Sequence, residues 1–140
     1  MKFDDYKIGM KDSISKVISE NDIINFAEIS EDKNPIHLSE EYAKGTIFKK
    51  RIAHGMLSAS LISAILGTKL PGKGSIYLNQ TLEFLKPVYI NDLITAEVEI
   101  IELIPEKNKI ILKTICKNQN ADIVLNGKAT ILKNENLEGE

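Results

Sequence analysis

Residues 55 to 68 carry no charge and are apolar or small all round, with Met56, Leu57, Ala59, Leu61, Ile62, Ala64, Ile65 and Leu66 spread over every side of a helix. A helix without a polar face is one buried on every face, so the rest of the chain has to wrap it. The uncharged run from Ala53 to Thr68 includes His54 and is interrupted by Gly55, Ser58, Ser60, Ser63 and Gly67. It is shorter than the roughly 20 residues a membrane-spanning helix needs. The run predicts a core helix and no membrane insertion.

The wrapping material lies downstream. After the turn Pro71-Gly72-Lys73-Gly74, everything reads as strands. Ile76, Leu78, Leu82 and Phe84, with Gln80 among them, share one face of the first. Ile94, Ala96, Val98 and Ile100 share a face of the next, and Ile110, Leu112 and Cys116 oppose Ile111 and Ile115 in the third. Ile123, Leu125, Ala129 and Ile131 form the fourth, with Gly127 between. Period-two alternation marks antiparallel sheet with one face buried. Turn residues separate the strands at Asn91-Asp92, at residues 105–108 and at residues 118–120.

Upstream, residues 13 to 18 alternate weakly and read as a first strand. Ser19 is placed to cap a short helix with Ile23, Ile24, Phe26 and Ala27 on one face. That helix must stop near Ser30, because Asn34-Pro35 disfavours helix just ahead of the proline. Ser39 opens a second short helix through Tyr42 and Ala43, ending at Gly45. A strand, short helices, one long buried helix and four consecutive strands predict an α+β architecture, a single antiparallel sheet wrapped around one central helix. That arrangement is the hotdog fold. It is expected as one domain over residues 1–133, with a polar tail at 134–140 that frays. Such a sheet leaves an edge and an apolar flank open, which predicts at least a homodimer.

Composition removes several function classes. The 18 Lys+Arg are spread among 20 Asp+Glu for a net charge of −2, with no basic stripe to meet phosphates, so no nucleic-acid partner is expected. Met1-Lys2-Phe3-Asp4-Asp5 is acidic where a signal peptide has an apolar core. The single cysteine, Cys116, rules out an internal disulfide and fits a reducing cytoplasm.

Chemistry concentrates in Asp32-Lys33-Asn34-Pro35-Ile36-His37. A carboxylate, a carboxamide and an imidazole stand within six residues, with a proline stiffening the turn. Aspartate and histidine together can bind one water, orient its lone pair and move its protons. The same residues also suit a bland role, with Asp32 and Asn34 in Asx turns and His37 capping a helix. Next comes His54-Gly55. A glycine opening a buried helix leaves its N–H unpaired, admits a ligand closely and adds the helix dipole, all of which favour an oxyanion. Gly55 could equally serve only as a tight entry turn, and His54 reads as structural more than catalytic. A metal site from His37, His54 and Cys116 lacks any recognised ligand spacing, so none is expected. Ser58, Ser60 and Ser63 sit in no Gly-x-Ser-x-Gly elbow, and Gly72-Lys73-Gly74 is no P-loop. Cys116, in mid-strand, reads as packing.

Asp32-x-Asn34-Pro35-x-His37 followed by His54-Gly55-Met56 resembles the hydratase-2 signature of the MaoC-like hydratases, the (R)-specific enoyl-CoA hydratases. The resemblance runs through residues 26–32, 70–78, 84–88 and 92–96 and so covers nearly the whole chain. It is nearest to the short, single-domain subgroup that supplies (R)-3-hydroxyacyl-CoA for polyhydroxyalkanoate synthesis. The family often has glycine where Glu31 and Asn91 stand, and Glu31 sets a second carboxylate beside Asp32. The resemblance implies a cofactor-free hydro-lyase acting on an acyl-CoA thioester. It implies that Asp32 and His37 hold the water that adds to C3 and deliver a proton to C2. It further implies that Asn34 orients the pair, that the Gly55 N–H bonds the thioester oxygen, and that Ser63 lines the site.

Other readings stay open on sequence alone. A dehydratase of acyl-carrier-protein substrates would use the same residues. A hotdog thioesterase usually keeps a carboxylate on or near the central helix, and residues 55 to 68 contain none. A non-catalytic acyl-CoA-binding module has no use for Asp32, Asn34 and His37 together.

Overall fold

The computed structural model describes residues 1–137. The strands are β1 (Lys11–Val17), β2 (Ser75–Phe84), β3 (Leu93–Ile104), β4 (Lys109–Lys117) and β5 (Ile123–Lys133). The helices are α1 (Glu20–Ser30), α2 (Pro35–Leu38), α3 (Glu40–Lys44) and α4 (Gly55–Thr68). All five strands join one sheet in the order β1-β3-β4-β5-β2, and every pairing is antiparallel. This is the expected hotdog arrangement. Of the expected polar tail, residues Glu135–Leu137 form a short 3-10 turn, and residues 138–140 lie outside the described residues. No described helix is long and apolar enough to cross a membrane.

Local signals work where they are strongest. The Ser19 side chain accepts from the Asp22 N–H at 3.0 Å while the Asp22 carboxylate accepts from the Ser19 N–H, a reciprocal cap that starts α1. Ser39 Oγ accepts from Tyr42 N–H and starts α3. The sheet's inner face follows the period-two pattern. Ile94, Ala96, Val98 and Ile100 of β3, and Ile110, Leu112 and Cys116 of β4, are fully buried. They form one core with Leu61, Ile62, Ile65 and Leu66 of α4.

Four expectations need correction. Ile24 is exposed and α1 buries Ile23 and Ala27, because a single stripe of an 11-residue helix meets the core. Ile123 is exposed at the mouth of β5, beside a register shift at Cys116/Lys117. Leu78 and Phe84 are exposed on β2, which lies at the sheet edge and carries an irregularity between Tyr77 and Asn79. Finally, α4 is not covered all round by its own chain. Met56, Ser60, Ser63 and Gly67 make an exposed stripe along one side, opening onto β2.

Gly127 is required by a close approach within the sheet. A Cβ at this position would lie 1.9 Å from the Thr81 carbonyl oxygen of β2. Backbone cannot retreat from that contact without unpairing β2 from β5. We expect Gly127→Ala to lower unfolding free energy by about 2–4 kcal/mol in a urea titration. Wild-type stability for this variant would mean that the two strands have room to separate.

Candidate active site

The turn after α1 is built by side chains bonding their own backbone. Ser30 Oγ donates to the Phe26 carbonyl at 2.6 Å and accepts from Asp32 N–H at 3.1 Å. Asp32 Oδ1 accepts from Asn34 N–H at 3.2 Å, and Asn34 Oδ1 accepts from Ile36 N–H at 3.2 Å. Asn34 thus caps α2, whose first residue is Pro35 and whose first turn carries His37. The Asx-turn role and the gathering of functional groups are therefore both realised, but the cap is Asn34 and not His37, which lies inside α2. Asn34 reaches Asp32 and His37 through this backbone bonding.

Glu31 ends α1 in the left-handed region, φ 65°, and Asn91 also lies there, φ 72°. Both conformations favour glycine. The chain keeps the backbone shape without the residue that suits it best.

His37 is 8% exposed, whereas Asp32 faces solvent. A carboxylate oxygen of Asp32 and one ring nitrogen each of His37 and His54 lie within 4.8 Å of one another. That separation suits a single bridging water, since two hydrogen bonds of about 2.8 Å meeting at one oxygen span about 4.5 Å. His37 Nδ1 lies 2.7 Å from the Ile52 carbonyl, which can only accept. The proton therefore sits on Nδ1, and Nε2 keeps its lone pair. Burial holds the His37 pKa below its ordinary 6.5, opposed by the bond to Ile52; the neighbouring His54 pushes it further down and Asp32 pushes it back up. The imidazole is a neutral base at pH 7.

Two residues outside the turn fix His37 in place. His54 is 2% exposed and stacks on it, ring centroids 3.8 Å apart at 27°. His54 Nε2 donates to the Asp32 carbonyl at 2.8 Å, and Phe26 backs the His54 ring at 4.9 Å. The structural reading of His54 describes what these contacts do. Arg51 is the residue that sequence reasoning missed. Only 7% exposed, it donates from Nε to the His37 carbonyl at 2.8 Å and from its guanidinium to Glu20 at 2.9 Å. In sequence it is the last cation of Lys49-Lys50-Arg51, and nothing there marks it as buried.

Gly55 begins α4 and His54 supplies no side-chain cap; the Leu57 N–H bonds the His54 carbonyl at 3.0 Å, whereas the N–H groups of Gly55 and Met56 have no acceptor one turn back in the helix. A Cβ on Gly55 would stand 2.6 Å from the Phe84 ring, so the absence of a side chain is used. Gly55, His37 and Ser58 share a cavity of about 410 Å³ with Phe84, Val88 and Leu125. Its wall is mostly apolar, as an acyl site needs.

Ser63 is not brought there. It faces a different groove, of about 570 Å³, with Phe26, Met56, Tyr77, Leu78 and Leu82. Five helical residues separate Ser58 from Ser63, about 140° of rotation, so the two serines look into different spaces. Cys116 is likewise apart from both histidines; it lies 3.5 Å from the Ser58 carbonyl, and burial pushes its thiol up to about 12.

The chain is similar to known proteins along most of its length. A family model described as the MaoC like domain matches residues 6–121. An (R)-specific enoyl-CoA hydratase of Rhodospirillum rubrum is 51% identical over 130 residues, covering 93% of this chain and 90% of its own. A 3-hydroxybutyryl-CoA dehydratase of Methylorubrum extorquens is 47% identical, covering 92% and 82%. The solved structure of an (R)-hydratase from Aeromonas caviae involved in PHA biosynthesis superposes with a TM-score of 0.88 at 43% identity, covering 90% of this chain and 96% of that one. With the family model spanning most of its length and such relatives matching nearly end to end, this chain belongs to the MaoC-like domain family.

Proposed function

We propose that this protein is an (R)-specific enoyl-CoA hydratase that adds water reversibly and syn to trans-2-enoyl-CoA. The observation that carries the reading is the 4.8 Å limit on the separation of the Asp32 carboxylate and a His37 nitrogen, beside a cavity opened by the N-terminus of α4. In the proposed reaction Asp32 accepts one O–H of the bound water and His37 Nε2 accepts the other. As the oxygen attacks C3, His37 takes that proton. The C2 carbanion delocalises onto the thioester oxygen, which the Gly55 N–H holds. The imidazolium then gives its proton to C2 on the same face and returns to its starting state. Asp32 stabilises the imidazolium meanwhile, in keeping with its upward pull on the His37 pKa. General acid/base transfer typically supplies about 10²–10⁴-fold, and an oxyanion donor about 10²–10³-fold. The reaction needs no metal or redox cofactor.

The paired form we propose is a homodimer closed over the groove between α4 and β2. Of the two edge strands, β1 carries Lys11, Asp12 and Lys16 in 7 residues, whereas β2 carries only Glu83 in 10. An edge so lightly charged, next to exposed Met56, Tyr77 and Leu78, favours a strand from a second copy.

Three expectations follow from this reading. With crotonyl-CoA, the protein should remove the enoyl-thioester ultraviolet absorbance without releasing free thiol, and Asp32→Asn and His37→Ala should each lower kcat by about 100-fold or more with the fold intact. Near-full activity in either variant would sink the pair assignment, and thiol release would make the protein a thioesterase. Because the folded His37 pKa lies below 6.5, the unfolded chain binds more protons as pH falls from 6.5 towards the folded value. Stability contributed by His37 should be whole above 6.5 and decline through that window. The acid limb of kcat/KM should likewise fall below 6.5; a limb above it would contradict a neutral, buried base. Light scattering should return about twice the 15.6 kDa chain mass, and a monomer mass would remove the dimer.

A further inference from the structure

We propose that Ser58 is a second hydrogen-bond donor to the substrate's thioester oxygen, acting beside the Gly55 N–H. The inference rests on the hydratase reading and deepens it at one atom.

Ser58 is 2% exposed, and its Oγ makes no hydrogen bond within the protein. A hydroxyl on a helix ordinarily avoids that state by donating back to its own helix. Its neighbours on α4 do so: Ser60 donates to the Leu57 carbonyl and Thr68 to the Ala64 carbonyl, each at 2.6 Å. Ser58 does not. A buried hydroxyl left unbonded costs about 1–3 kcal/mol, and alanine at the same place would remove the cost. Groups held in this condition concentrate where a ligand completes the bonding.

The position agrees with that explanation. Ser58 lines the same cavity as His37 and Gly55. It stands three residues after Gly55, hence on the same side of the helix, and helical side chains lean towards the N-terminus. Its side chain therefore lies over the turn that begins at Gly55. Among the cavity's other side chains, Lys86 and His37 alone carry an N–H donor; the Lys86 ammonium pairs with Asp122 at 3.5 Å, and the His37 Nδ1 proton is spent on the Ile52 carbonyl. A thioester oxygen seated on the Gly55 N–H would meet the Ser58 hydroxyl as its second donor. Negative charge grows on that oxygen when the water attacks C3, so the bond strengthens in the transition state. The proton stays on Ser58 throughout.

The test compares wild type, Ser58→Ala and Ser58→Cys on crotonyl-CoA, with thermal midpoints for each. The expected result is a kcat about tenfold or more lower for Ser58→Ala, an intermediate value for the weaker thiol donor, and KM nearly unchanged. The thermal midpoint of Ser58→Ala should equal or exceed wild type, since an unsatisfied hydroxyl has gone. A structural serine would not combine lower activity with equal or higher stability. Wild-type kcat in Ser58→Ala, or a loss that tracks a lower midpoint, would overturn the proposal while leaving the hydratase reading in place. An inactive wild type, on crotonyl-CoA and on longer enoyl-CoA alike, would overturn that reading and the role of Ser58 with it.

Discussion

Helix α4 has no charged side chain, and enclosing its apolar surface decides where the other elements go. The inner residues of β3, β4 and β5 close on Leu61, Ile62, Ile65 and Leu66, which leaves the helix open along the stripe of Met56, Ser60, Ser63 and Gly67 and at its ends. At the N-terminal end the first N–H groups cannot be satisfied from within the helix. The fold therefore produces, as a by-product of burying a hydrophobic rod, a patch of backbone donors at the mouth of an apolar cavity. Chemistry that develops a negative oxygen on an apolar chain suits that place.

The turn from Glu31 to His37 supplies the other half of the site, and it lies on the boundary between wet and dry. Asp32 faces solvent and His37 is buried, so one end of the pair meets water while the other is kept neutral by desolvation. Holding that arrangement takes contacts from three directions. Arg51 grips the His37 carbonyl, the Ile52 carbonyl takes the Nδ1 proton, and His54 stacks on the ring while binding the Asp32 carbonyl. Each contact is to backbone or to a ring face, so the free edge of His37 keeps Nε2 available. The pair is positioned before substrate arrives.

Much of this was legible in the chain because it is local. Ser19 and Ser39 cap the helices expected of them, the proline at 35 separates α1 from α2, and alternation at 94–100 and 110–116 marks the inner sheet face. The Asp32, Asn34 and His37 cluster was readable for the same reason: six residues around a proline cannot spread far apart. Legibility failed at the edges. Leu78, Phe84 and Ile123 continue the apolar pattern yet stand exposed, since alternation tells which residues share a face but not whether anything covers it.

Residue order alone carries the element order, the caps, the single apolar helix and the short turn that gathers a carboxylate and an imidazole. All of these depend on neighbours within a few residues. It takes the three-dimensional packing to bury Arg51 against His37, to stack His54 on the His37 ring, and to set Ser58 rather than Ser63 beside their cavity. Those outcomes depend on how the 3.6-residue period of α4 is phased against a sheet formed by residues far along the chain. An uncharged helix gives only a faint internal sign of that phase, because no charged side chain marks the side that stays open and only the small residues at 60, 63 and 67 do so.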